Sequence, residues 1–104
     1  MTPNEYQYLA NRTASKYRAT HSDPATEKKL ALLGWTLGLG GETGEVLECV
    51  KKWQFHGKDA TGLISELGDV LWYVSAICSE LTIDLESVMK YNIDKLEERH
   101  QISE

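Results

Sequence analysis

From Pro24 to the end of the chain no proline interrupts the sequence, and its apolar residues recur every three or four positions rather than every two. The sequence holds only two prolines, Pro3 and Pro24, and each sits near an expected helix boundary. In Thr2-Pro3-Asn4-Glu5 a capping threonine precedes proline at the first helical position, with Glu5 three residues beyond the cap. Tyr6, Leu9, Ala10, Thr13 and Tyr17 then share one side of a first helix. Residues 20–26, with Asp23-Pro24, read as a connecting loop. Residues 28–55 carry a long helical pattern whose glycines allow one break near Gly40-Gly41. Gly57 suits a helix C-terminus, and residues 56–60 read as a turn. A third helix is expected over 61–81. Asp84 is placed to cap a fourth over 85–100, striped by Leu85, Val88, Met89 and Leu96. No strand-like alternation competes. The expected architecture is all-α: a four-helix bundle in a single domain, residues 1–104.

A chain of 104 residues buries roughly two-thirds of its unfolded surface, which makes a lone protomer marginal and favours oligomerisation. Sixteen acidic residues against eleven basic ones leave a net charge of −5. That balance argues against a nucleic-acid polymer as partner, because displacing counterions needs a basic footprint. It leaves room for a small phosphorylated ligand if a divalent metal reverses the local charge. Cys49 and Cys78 lack metal-binding spacing and read as buried free thiols of a reducing compartment. No apolar run approaches the ~18 residues of a membrane span, and Met1 leads into polar residues. A cytoplasmic protein away from membranes is the expectation.

Two helices break the rules for solvated surfaces. The third places Leu63, Leu67, Val70, Leu71, Val74, Ile77, Cys78 and Leu81 on one arc, expected to face the core. Its other side carries Gly68, Trp72, Ser75, Ala76 and Ser79, with no Lys or Arg anywhere between Lys58 and Lys90. That side is expected to be a subunit interface. The second helix contains Gly34, Gly38, Gly40, Gly41 and Gly44, each costing a helix interior about 1 kcal/mol relative to alanine. Close helix approach or a local break would account for them.

Glu42-x-x-Glu45 and Glu66-x-x-Asp69 each place two carboxylates on one helix face. Twenty residues lie between the pairs, and a hairpin turning near Gly57 brings them to similar heights. Four acids converging beside an apolar arc would repel and lose hydration, which a hard divalent cation relieves. Mg²⁺, or alternatively Mn²⁺, matches carboxylate oxygens. Di-iron bundles need Glu-x-x-His, and His21, His56 and His100 are not so spaced. The plain alternative is four solvated surface acids.

The fourth helix supplies opposite charge. Asn92 interrupts its apolar stripe, and Lys95 and Arg99 lie on the same side. Two cations four residues apart repel unless an anion sits between them. Lys52 is a further phosphate candidate, although Lys51 and Lys52 can equally pair with Glu48. Metal-ligating acids plus a cationic clamp suit a polyphosphate. Trp35, Trp72 and Tyr73 could stack on a base or simply pack. Tyr73 shares an edge with Glu66 and Asp69.

Taken together, residues 40–46 (GGETGEV), Lys51-Lys52, Phe55-His56-Gly57, residues 66–73 (ELGDVLWY) and Asn92-x-x-Lys95-Leu96-x-x-Arg99 resemble the MazG-like nucleoside triphosphate pyrophosphohydrolases. The resemblance spans roughly residues 28–100. It implies Mg²⁺-dependent hydrolysis of an NTP or dNTP between the α and β phosphates, giving a monophosphate and pyrophosphate. Glu42, Glu45, Glu66 and Asp69 match the family's metal ligands, and Asn92, Lys95 and Arg99 its phosphate-contacting stretch. Glu45 is the carboxylate expected to activate the attacking water, and Tyr73 and Trp35 are the base-binding candidates. Dimers, or tetramers made of dimers, are implied as the assembly. Two alternatives stay open: a non-catalytic helical interaction module, and a related enzyme acting on another metabolite such as phosphoribosyl-ATP.

Overall fold

The computed structural model describes residues 1–101. Four helices, and no strand among the described residues, follow in order: α1 (Pro3–Tyr17), α2 (Pro24–His56), α3 (Leu63–Glu80) and α4 (Leu85–His100). The all-α expectation holds. Thr2 Oγ1 accepts the Glu5 N–H at 3.1 Å, and Asp23 Oδ2 accepts the Thr26 N–H at 3.0 Å, so both proline-led helices start on side-chain caps. The second helix therefore begins at Pro24, inside the stretch expected to be loop. It runs unbroken through all five of its glycines for 33 residues, about 50 Å. It stops at Gly57, whose φ of 68° suits a residue without a Cβ. The Lys58 N–H closes that end on the Lys52 carbonyl at 3.2 Å.

α2 and α3 form the hairpin that the sequence implied, and theirs is the most extensive contact in the chain. α1 lies across the C-terminal part of α3. Near one end Gln7 Nε2 donates to the Ile83 carbonyl at 2.8 Å and to Ser79 Oγ at 3.3 Å. At the other end Arg18 reaches Glu80. The core at this crossing is small. Ala14, Trp35 and Ala76 are buried, with Trp72, Tyr73 and Ile77 packed around them. Trp72 stands edge-on to both Trp35, at 5.7 Å, and Tyr73, at 4.9 Å between ring centroids. Cys78 is buried, Cys49 is half-buried, and neither forms a disulfide.

This crossing mixes the two sides expected for α3, burying Cys78 of the apolar arc and leaving Gly68 of the small-residue side exposed. Ser75 is 1% exposed and Ala76 4%, so this part of the small-residue side lies within the chain rather than at a subunit boundary. Small side chains there let α1 approach closely. The supposed core arc is partly open, with Leu67 and Leu71 half-exposed.

α4 touches α1 but makes no extended contact with α2 or α3. Asp84 occupies its cap position without a side-chain bond. Gln7 Oε1 takes the Leu85 N–H at 2.8 Å and Asn4 Oδ1 the Glu86 N–H at 3.3 Å. α1 thus caps α4, a long-range substitute for the local cap that Asp84 was expected to provide.

Candidate metal centre

Glu42 sits midway along α2 and Asp69 in the first half of α3, where the hairpin brings the two helices side by side. One turn before Asp69, Glu66 projects from the same edge of α3. One carboxylate oxygen from each of Glu42, Glu66 and Asp69 lies within 4.8 Å of the other two. Glu42 and Glu66 are half-buried and Asp69 is exposed. Desolvation, then the charges of Asp69, Glu66 and Glu45, push the Glu42 carboxyl above its ordinary value. A hard cation would favour the ionised form of all three. The donor set, carboxylate oxygens without His or Cys, is the kind that Mg²⁺ and Mn²⁺ take.

Glu45, the fourth predicted acid, is exposed and stands outside this group, although its charge is felt at Glu42. Three of the four acids thus converge, and the fourth flanks them one turn further along α2. Tyr6 of α1 is a neighbour that sequence reasoning did not single out. Burial, then the Asp69 charge, raises its phenol. Its place in the first helix's apolar pattern gave no sign of that, because the link depends on how α1 crosses α3.

The close packing that α2 and α3 need at this level is met by one glycine. A Cβ on Gly38 would sit 2.5 Å from Tyr73 Cζ, so the tyrosine ring lies directly on bare backbone. Gly34, Gly40, Gly41 and Gly44 have nothing within 4 Å of the equivalent position, so close approach within the chain explains only one of the five.

The base-binding candidates Tyr73 and Trp35 line a single recess of about 440 Å³ together with Tyr17, Ala19, Ala31, Gly34 and Trp72. Gly34, on its wall, precedes Glu42 by eight residues, about 12 Å along α2. Trp35 is 7% exposed, and its indole N–H donates to Glu80 Oε1 at 3.2 Å, so its edge is already engaged. Tyr73 is half-buried.

The predicted phosphate contacts are dispersed. Lys52 lies 3.8 Å from Glu48 and Lys51 3.7 Å from the same residue, the local pairing that the sequence allowed. Asn92 and Arg99 are exposed and Lys95 half-buried, all on α4 and away from the α2–α3 hairpin. Arg18 is a cation that the sequence reading passed over. It is engaged in a structural network with Glu27 and Glu80. No helix among the described residues is long and apolar enough to cross a membrane.

Comparison with known proteins places this geometry in context. The profile of the MazG nucleotide pyrophosphohydrolase domain matches residues 32–102, a stretch that contains all four acids and the Asn92–Arg99 segment. The chain is similar to the Gene 37 protein of Mycobacterium phage L5, 39% identical over 71 residues, or 62% of this chain and 61% of that protein. The match thus spans about three-fifths of that relative's length. No solved structure matches the chain.

Proposed function

The chain belongs to the MazG nucleotide pyrophosphohydrolase family, and from that membership we propose that it hydrolyses a nucleoside or deoxynucleoside triphosphate at the α–β anhydride. The products are a nucleoside monophosphate and pyrophosphate. The observation that carries this reading is the convergence of Glu42, Glu66 and Asp69 on a common point across the α2–α3 hairpin. Solvated acids gain nothing from being gathered there, whereas a cation and a polyphosphate give the gathering a purpose.

In this reading Glu42, Glu66 and Asp69 hold Mg²⁺, with Mn²⁺ as a substitute, and Glu45 either joins them or acts beside them. Bound there, the cation supplies charge neutralisation for the phosphate oxygens and makes a neighbouring water easier to deprotonate. Glu45, exposed at the rim, takes the proton of the attacking water. The water oxygen bonds to phosphorus as the α–β bridging bond breaks, and pyrophosphate leaves with the bridging oxygen. Asn92, Lys95 and Arg99, with Lys52 in a lesser role, offset the charge that collects on the leaving group. The recess at Tyr73 and Trp35 accepts the base, since stacking on an aromatic wall tolerates any of them. A homo-oligomer working in the cytoplasm, without nucleic-acid polymer or membrane, completes the proposal.

The test is a panel of NTPs and dNTPs with Mg²⁺, read by chromatography for monophosphate and pyrophosphate. Stoichiometric release of both from at least one nucleotide is expected. Release of orthophosphate instead, or no turnover, overturns the reading. Adding phosphoribosyl-ATP to the panel separates the remaining case, since turnover of that metabolite alone would overturn the nucleotide substrate but keep the pyrophosphohydrolase chemistry.

A further inference from the structure

One oxygen atom joins two walls of the aromatic recess. Glu80 Oε1 accepts the indole N–H of Trp35 at 3.2 Å and the Nε–H of Arg18 at 2.9 Å. Trp35 belongs to the α2 wall. Arg18 lies in the chain between Tyr17 and Ala19, which line the recess from the end of α1. Glu80 itself is not part of that lining. With Arg18 it opens onto a separate cavity of about 190 Å³, and Trp35 borders both spaces.

The connector from α1 to α2 is fastened through the same residues. Arg18 Nη1 donates to Glu27 Oε2 at 2.8 Å, and the His21 N–H donates to Glu27 Oε1 at 3.1 Å. His21 Nδ1 in turn accepts the Asp23 N–H at 2.9 Å. Tyr17 is 73% exposed, so packing does little to hold it, and the clasp on its neighbour sets where it stands. Trp35 is buried and packs edge-on against Trp72 at 5.7 Å. An indole has a single donor, and aiming it at Glu80 fixes the plane of the ring. A carboxylate with a side chain 7% exposed is a costly route to stability, since well-packed apolar side chains commonly serve as well as a buried ion pair. What the carboxylate adds is direction, because a hydrogen bond from behind locks the rotamer of a residue that faces a ligand.

We infer that Arg18 and Glu80 are positioning residues of the nucleotide site. Glu80 fixes the Trp35 ring through its N–H, and Arg18 carries Tyr17 and Ala19 to the same recess. This rests on the reading of the recess as the base site and extends it to two residues that act through others. A recess shaped in advance spares the bound nucleotide the ordering of those side chains. Its loss shows in KM rather than kcat, because the acidic triad lies apart, with Glu42 about 10 Å from Trp35 along α2.

The experiment measures KM and kcat for each of the four NTPs with Mg²⁺, with helical circular dichroism as the check on folding. The double variant Arg18→Met with Glu80→Leu removes both charges at once, so neither of that pair is left buried alone. Its KM should rise about tenfold, the scale of ordering one or two side chains on binding, with kcat within about twofold of the wild type. Glu80→Gln keeps an acceptor for the indole and should leave KM close to the wild-type value. An unchanged KM in the double variant reduces the clasp to a structural element and overturns the inference. A KM raised equally in Glu80→Gln overturns it too, because the acceptor would then count for nothing. If the double variant does not fold, Trp35→Phe decides. It keeps an aromatic wall without the N–H, so the same rise is expected, and an unchanged KM overturns the inference. A wild type inactive on every nucleotide defeats the functional proposal instead. Quenching of tryptophan fluorescence by the α,β-methylene analogues of the four NTPs then decides the recess alone. Binding that weakens about tenfold in the double variant, or in Trp35→Phe if the double variant does not fold, supports the positioning role, and equal binding or none overturns it.

Discussion

Arg18 holds Glu80 at two points, Nε to Oε1 and Nη2 to Oε2, each at 2.9 Å. The same guanidinium donates through Nη1 to Glu27 at 2.8 Å, and Trp35 donates its indole N–H to Glu80. One cation just beyond the end of α1 thereby ties the start of α2 to the end of α3. The Glu80 side chain is only 7% exposed, so it depends on these partners.

Removing the cation strands that carboxylate. Arg18→Ala should destabilise the chain by about 2 kcal/mol, below the usual cost of breaking a fully buried pair because Arg18 is about a third exposed. Thermal denaturation should show the midpoint falling by about 10 °C. Arg18→Lys should recover only part of it, since an ammonium cannot make the two-point contact. A midpoint unchanged in the alanine variant would show the network to be idle.

The same network sets an acid limit. Hydrogen bonding to Arg18 lowers the carboxyls of both Glu80 and Glu27 below their ordinary 4.5. A carboxyl depressed by folding stabilises the native state fully above its unfolded value, and the stabilisation is lost as pH falls through the folded value. Stability should therefore be level down to about pH 5 and decline below it. Urea titrations across that range should show a shallower decline in Glu80→Gln, whose neutral amide has no proton to gain. Equal slopes in the two proteins would contradict the assignment.

Gly38 and Gly40 lie in the same helix with opposite surroundings. Gly38→Ala drives a Cβ into the Tyr73 ring and should cost about 1–3 kcal/mol in spite of alanine's better helix propensity. Gly40→Ala meets nothing within the chain and should gain up to about 1 kcal/mol. Parallel thermal melts compare the two, and the contrast fails if Gly38→Ala is the more stable.

The acids should separate by role. If the triad holds Mg²⁺ as proposed, the ion should raise the wild type's melting temperature, and Glu42→Gln, Glu66→Gln and Asp69→Asn should each abolish that rise and lower turnover at least about a hundredfold. Glu45→Gln should lose comparable turnover but keep much of that rise, because Glu45 lies outside the converged group. Loss of the metal response in Glu45→Gln would make it a ligand. Retention of the response in any two of the other three would remove the metal from the triad.

The sequence by itself determined the helices, the hairpin and the acids. Caps, proline placement and three-to-four spacing are local properties, and an i, i+3 pair fixes a face whatever the surroundings, so Glu42, Glu45, Glu66 and Asp69 stood out as candidates, of which the fold gathers three and leaves Glu45 beside them. Local signals did not decide which face of α3 meets which neighbour. Ser75 and Ala76 looked like a surface awaiting a partner, and the crossing of α1 buried them instead. Nor could residue spacing show that Gln7 and Asn4, rather than Asp84, cap α4, or that Arg18 would clasp Glu27 and Glu80 across 9 and 62 positions of sequence. Those contacts belong to the tertiary structure because a helix's periodicity defines its faces but not their partners. That choice is made by how closely small side chains let the backbones approach and by which buried polar groups must be paired.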